Sequence, residues 1–193
     1  MENLAVIRDV SLTLRKLLFG KKISEISTEN DIIFDSPALI DDRPEGNKAS
    51  VFLYQVVINH HLRNIEGTPV GTDRMQRPPL AVDLFYLFTP YAKDSITELL
   101  MIEWIMRILH ENAVLKGNMM QGKLVENGND EIRIIPNVLT FEESNKLWER
   151  FPNKPFRLSV SYMLTPVRIP SETFDITRVV ERDIDMYLMG GKR

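Results

Sequence analysis

Three histidines, no cysteine and a few closely spaced acids are what this 193-residue chain offers for chemistry. His60 and His61 adjoin the end of an alternating apolar run. Successive side chains leave opposite faces of a strand, so the two imidazoles do not converge on one ion and read as surface residues. His110 lies three residues after Arg107 near the end of a helical pattern, where a cation complements the helix dipole. A catalytic role there needs a serine or carboxylate partner that no spacing nominates. Asp41-Asp42 and the pair Asp31 and Asp35 lack the alternating ligand spacing of a calcium loop and read as solvated loop charge. Gly117-Asn-Met-Met-Gln-Gly122-Lys123 has the glycine spacing of a phosphate loop, but Leu124 follows the lysine, and no strand-loop-helix pattern surrounds it. The expectation is a protein with no catalytic residue, no cofactor and no metal. The alternative from another class is a small-ligand or nucleotide-binding enzyme using that loop with a basic strip, Arg63, Arg74 and Arg77.

Bulk composition narrows the partners. The 24 basic and 27 acidic residues leave a net charge of -3, and their interspersion along the chain provides no electrostatic footprint for nucleic acid. The absence of cysteine excludes disulfides, zinc-thiolate sites and thiol nucleophiles, and suits a reducing compartment. Arg8, Asp9, Arg15 and Lys16 interrupt the apolar run from Leu4 to Phe19, and no stretch approaches the ~18 uncharged residues of a membrane span. Neither a signal peptide nor a span is expected, and the protein is expected to be made in the cytoplasm. A chain of this length buries roughly 70% of its unfolded surface, so one domain with a real core follows.

Leu4, Ile7, Val10, Leu14, Leu17 and Leu18 recur at helical spacing, predicting an amphipathic helix over 3–19 that lies on a sheet and is closed by Gly20 in the left-handed conformation. The turn-rich stretch 41–47 reads as an exposed loop. Over 50–59, alternation predicts a strand with Phe52, Tyr54, Val56 and Ile58 on one fully apolar face. The connection 62–79 is longer than a compact domain normally spends on a loop, so it is expected to contact something. Its basic strip, Arg63, Arg74 and Arg77, is either a solvated face or a contact for an acidic partner surface.

Two runs match in pattern. From Pro79 and Pro155, Leu80, Val82, Leu84, Tyr86 and Phe88 align with Phe156, Leu158, Val160, Tyr162 and Leu164, and each run reaches Thr-Pro. The first is apolar on both faces apart from Asp83 and belongs at the sheet centre; the second carries Arg157, Ser159, Ser161 and Thr165 on a face open to solvent or a partner. Shared strand sterics, rather than duplication, explain the match. Tyr86 and Tyr162 should face one helical layer. Changes at Leu84 or Val160 should then cost the fold, and changes at Arg157 or Ser159 should affect assembly.

Ser95-Ile-Thr-Glu98 reads as a capping box opening a helix to about Leu115. That helix has only a thin polar stripe, Glu103, Arg107, His110 and Glu111, so one sheet face cannot cover it; the cover is the first helix or a neighbouring subunit. Residues 123–135 read as a hairpin around Asn127-Gly128. Thr140-Phe-Glu-Glu143 is a second capping box, opening a helix that presents Phe141, Leu147, Trp148 and Phe151 before Pro152 stops it. The tail, with Phe174, Ile176, Val179, Val180 and Tyr187 among many charges, reads as an extended arm. The fold class expected is α/β (α+β): a twisted, mixed, largely antiparallel sheet of about four to five strands packed by helices, with a domain over 1–170 and an arm over 171–193.

Two segments go beyond generic patterning: Leu80-Ala-Val-Asp-Leu-Phe-Tyr-Leu-Phe-Thr-Pro-Tyr-Ala92 with the apolar helix and Leu109-His110 after it, and Leu139-Thr-Phe-Glu-Glu-Ser-Asn-Lys-Leu-Trp148 followed by 155–169. Together they resemble the cap, or tail-terminator, family of extracellular contractile injection systems, over roughly residues 3–183. The resemblance implies a subunit of a six-fold ring that ends sheath and inner-tube polymerisation and stabilises the extended particle. It implies sheath and tube proteins as partners, and assembly in the cytoplasm before release. The resemblance is to one domain of longer relatives; a second C-terminal domain is not expected within these 193 residues, and whatever that domain does is not implied for them. A ring needs heterologous surfaces, and strand addition to the sheath needs exposed edges or arms. The candidate interface is therefore Arg63, Arg74, Arg77, Phe174, Ile176, Val179, Val180 and Tyr187. A baseplate-end adaptor of the same particle is the alternative within this class.

Overall fold

A computed structural model describes residues 5–62, 67–70, 74–171 and 174–176. In chain order the elements are α1 (Val6–Gly20), β1 (Ile32–Ile33), β2 (Lys48–Ile58), β3 (Thr68–Val70), β4 (Arg74–Gln76), β5 (Leu80–Tyr91) and α2 (Ser95–Glu111). They continue with β6 (Val114–Lys116), β7 (Glu131–Asn137), α3 (Phe141–Trp148), β8 (Val160–Ile169) and β9 (Phe174–Ile176). The described residues fall into two compact units. One, from 5–62 and 79–170, holds all three helices and a six-stranded sheet ordered β1-β2-β5-β8-β7-β6. The other, from described residues of 65–78 and 171–176, is a three-stranded antiparallel sheet, β3-β4-β9.

The fold is the expected mixed α+β class with a largely antiparallel sheet, β1 running parallel to β2. Its main sheet has six strands rather than four or five, because β1 and β6 span only two and three residues and no period is readable over so few. The long connection does make a contact: β3 and β4 lie within it, and β4 pairs with β9.

β5 is central, between β2 and β8, as its two apolar faces demand. Tyr86 stands directly opposite Tyr162, Leu84 opposite Leu164 and Phe88 opposite Val160. Residues opposite one another share a face, so both tyrosines join one layer, with α1 and α2 in the main core. Tyr86 donates to or accepts from Ser11 of α1 at 2.8 Å, and its burial pushes the phenol pKa up to about 12. Trp104 of α2 donates its indole N–H to the carbonyl of Lys21 at 2.8 Å, tying α2 to the end of α1. Gly20 is the last residue of α1 and is not left-handed; the Lys21 N–H turns back to Leu18 at 3.2 Å.

The opposite sheet face carries α3. Its Trp148, with Phe151, packs on Leu87, Phe52 and Tyr54, the two larger rings edge to face at 5.4 Å. The face expected to be solvated is thus partly covered. Ser161 is buried and bonded to Tyr54 Oη at 3.0 Å, and Asn137 donates to both hydroxyls.

Four local expectations give way to tertiary geometry. β2 carries a bulge between Leu53 and Gln55, so alternation restarts: Leu53 lies opposite Tyr86 and Val56 opposite Leu84, both on the α1–α2 face, while Phe52 and Tyr54 take the α3 face. The apolar face expected over 52–58 is therefore split. α2 is capped by Asp94, whose Oδ1 accepts the Thr97 N–H at 2.9 Å, and it ends at Glu111 instead of near Leu115. Residues 123–125 are turn, not strand; β7 pairs with β6 instead, and only Gly128 of the Asn-Gly pair has a positive φ, +80°.

The fourth concerns Arg157. β8 begins at Val160, and Arg157 turns inward beneath α2: it bonds Glu98 at 2.5 Å and the Asp42 carbonyl, and lies 4.8 Å from the Tyr91 ring centroid. Ser159 likewise accepts the Trp148 indole N–H at 3.3 Å. Both residues hold the fold together, against the assembly role expected for them. Arg157→Ala should lower the unfolding free energy by about 2 kcal/mol, since Glu98 and a carbonyl lose a charged donor in a half-buried site. Urea denaturation checks this; an unchanged midpoint would return Arg157 to the surface role.

Candidate functional site: two apolar surfaces on opposite sheet faces

α2 is too apolar for its cover. Its residues 101, 102, 104, 105, 108 and 109 are buried, but Ile96, Leu99, Leu100 and Met106 remain exposed after α1 has packed against it. The stripe Leu99, Ile102, Glu103, Met106, Leu109 and His110 forms one wall of a groove of about 650 Å³, whose floor is Ile134 and Pro136 of β7 and Tyr162 of β8. These recur at helical spacing and so share one side of α2. Burial pushes the Tyr162 pKa up, which keeps the phenol neutral. The groove rim carries Glu103, Arg107 and His110.

The second surface lies around α3. Thr140 caps it by accepting the Glu143 N–H at 3.2 Å, while Glu143 accepts the Thr140 N–H at 2.8 Å; this is the capping box read from the sequence. The backbone and hydroxyl of Thr140 hold the Glu143 carboxyl below the usual range. The box turns Phe141 outward, 78% exposed, next to Val138 at 88%. Behind them, between α3 and the sheet, lies a second groove of about 590 Å³ lined by Tyr54, Phe85, Asn137, Leu147 and Arg150 among others.

The sheet edge at β6 and β7 is guarded. The Ile134 N–H bonds Ala113 at 2.8 Å toward β6, so alternate backbone groups of β7 point outward. Beyond the end of β6 the next outward position is Pro136, which has no N–H to offer an added strand.

Of the sequence-derived interface residues, Arg74 lies in β4 directly opposite Ile176 in β9, and Phe174 lies opposite Gln76. Arg77 is exposed just after β4. Arg63, Val179, Val180 and Tyr187 lie outside the described residues. The α2 groove and the Phe141 surface are absent from that set. Their signals were the excess apolar face of α2 and a phenylalanine in the first turn of α3.

The phosphate-like loop is already occupied from within. The Lys123 N–H donates to Asp9 Oδ2 at 3.2 Å, the Gln121 N–H to Thr13 Oγ1 at 2.9 Å, and Gly122, at φ +62°, packs on the Asp9 carboxylate. A carboxylate of α1 takes the place an anionic ligand needs. Among the described residues no group of His, Asp or Glu is arranged to hold a metal ion, and no helix is long and apolar enough to cross a membrane.

Residues 9–182 match the Pvc16 N-terminal domain family. The chain belongs to this family. Two solved structures share its fold at 20% identity. One is the sheath/tube terminator, in the extended state, of the PVC extracellular contractile injection system, with a TM-score of 0.63 over 89% of this chain and 58% of that one. The other is the tube-terminating cap of the anti-feeding prophage, with a TM-score of 0.64 over 90% of this chain and 58% of that one. The Pvc16-type fold here thus spans under three fifths of either relative's length. No curated protein matches the sequence. The resemblance read from 80–92 and 139–169 and the family match agree.

Proposed function

We propose that this protein is a cap, or tail-terminator, subunit of a contractile injection system, which forms a ring ending sheath and inner-tube polymerisation and stabilises the extended particle. The observation that carries this is membership of the Pvc16 N-terminal domain family along residues 9–182, with the fold of two terminating caps. Uncovered apolar surface on both faces of the main sheet supports it, because patches of this kind mark protein contacts. In this reading the protein is not an enzyme and uses no cofactor. Six copies form the ring, sheath and inner-tube proteins are its partners, and assembly precedes release of the particle from the cell. Residues 1–170 act as the ring domain and 171–193 as the arm. The strip Arg63, Arg74 and Arg77 with Phe174, Ile176, Val179, Val180 and Tyr187 serves as a contact with sheath or with a neighbouring subunit. Deleting the gene from a strain that makes such particles should yield tails of uncontrolled length, seen by negative-stain microscopy. Tails of normal length, or a label on this chain found at the baseplate end, would defeat the proposal. A nucleotide-binding enzyme is not favoured, because Thr13 and Asp9 already accept the backbone N–H groups of Gln121 and Lys123.

A further inference from the structure

We propose that the groove beside α2 receives the Phe141 surface of a second copy of this chain, so that subunits join head to tail through these two patches. The inference rests on the ring reading above and names the surfaces that close the ring.

The two patches differ in shape. Leu99 and Met106, 57% and 44% exposed, border a recess of about 650 Å³, within the roughly 300–1,000 Å³ range of pockets that enclose a small molecule. Phe141 projects from the other face of the same sheet, 78% exposed and outside the lining of the groove there, which Val138 borders. Two recesses brought together about a twofold axis leave both empty; a recess meeting a projection buries both. Patches that differ on opposite faces of one subunit generate a ring or a filament, never a closed pair.

The charges agree. On α2 an acid precedes a base by one turn, Glu103 then Arg107; on α3 the order repeats, Glu142 then Lys146. Helices meeting antiparallel then set Glu103 against Lys146 and Arg107 against Glu142. Within the subunit, among the described residues, neither Glu103 nor Arg107 has an ion-pair partner. Glu142 and Lys146 pair at 2.5 Å on an exposed surface, where such a pair is worth little and yields readily to a better one.

The chain has no cysteine, so engineered thiols report without background. In the full chain, oxidised alone and on tube ends, neither M106C nor F141C should form linked dimers by itself. The double variant should give a ladder of linked species ending at the closed ring, and an equimolar mixture of the two single variants should give dimers only. His110→Cys with Phe141→Cys provides a second groove position within disulfide reach of the same register, and circular dichroism confirms folding. Linked dimers from M106C alone would place two grooves face to face and overturn the proposal. So would rings of wild-type protein from which neither cysteine pair yields a ladder, because another surface would then join the copies. Wild-type protein that stays monomeric both alone and on tube ends would overturn the ring reading itself, a result the cysteine variants cannot mimic.

Discussion

Gly122→Ala is expected to lower the unfolding free energy by about 4 kcal/mol. Two costs combine. Gly122 sits at φ +62°, a conformation that costs a residue with a Cβ about 1–2 kcal/mol. The new Cβ also falls inside the Asp9 carboxylate. Asp9 has nowhere to go: it is 2% exposed, held by Arg8 at 3.0 Å and by the Lys123 N–H at 3.2 Å. Displacing it strands a buried charge and a backbone donor, at about 1–3 kcal/mol. At about 2–4 °C per kcal/mol for a chain of this size, the melting temperature should fall by roughly 10 °C. A double-mutant cycle separates the terms: with Asp9→Ala in place the clash disappears, and Gly122→Ala should cost only the backbone share. Additive effects of the two changes would show that Asp9 and Gly122 do not meet.

Leu84→Ala should cost about 3–5 kcal/mol, measured by urea denaturation. Leu84 is fully buried in the central strand, opposite Leu164 on one side and Val56 on the other, beneath both long helices. Its neighbours are held in sheet register and by α1 and α2, so the space left cannot collapse, and the cavity adds to the lost transfer energy. Val160→Ala should cost less, about 1–2 kcal/mol, because Val160 opens β8 and is only partly buried. Equal effects at the two positions would contradict the central placing of β5.

Leu84 was legible as core from alternation alone, and so were the central place of β5 and the shared layer of Tyr86 and Tyr162. Period-2 and period-3.6 patterns report which side of an element is apolar, and that information is local. The capping box at Thr140 was legible for the same reason. At Asp94 the same motif misled by one residue, because Glu98 bonds the Ala92 N–H at 3.4 Å and Arg157, a residue 59 positions away, instead of closing a box with Ser95.

The excess of apolar surface on α2 was written in the chain, and α1 is the cover it finds; that Leu99 and Met106 still line an open groove depends on where β7 and β8 lie beneath them. The bulge in β2 needs a partner strand to exist, so no period within 48–58 announces it, yet it moves Val56 and Ile58 to the other face. The pairing of β7 with β6, and the turn of Arg157 toward Glu98 and Tyr91, likewise join segments that no local period connects. The loop Gly117 to Lys123 shows the division most directly. By itself the sequence determined a glycine spacing suited to an anion, together with the strands, helices and family resemblance around it. Only the tertiary structure decided that the anion is Asp9, 114 residues away from the N–H it accepts, because folding brings α1 and the loop together before any ligand arrives.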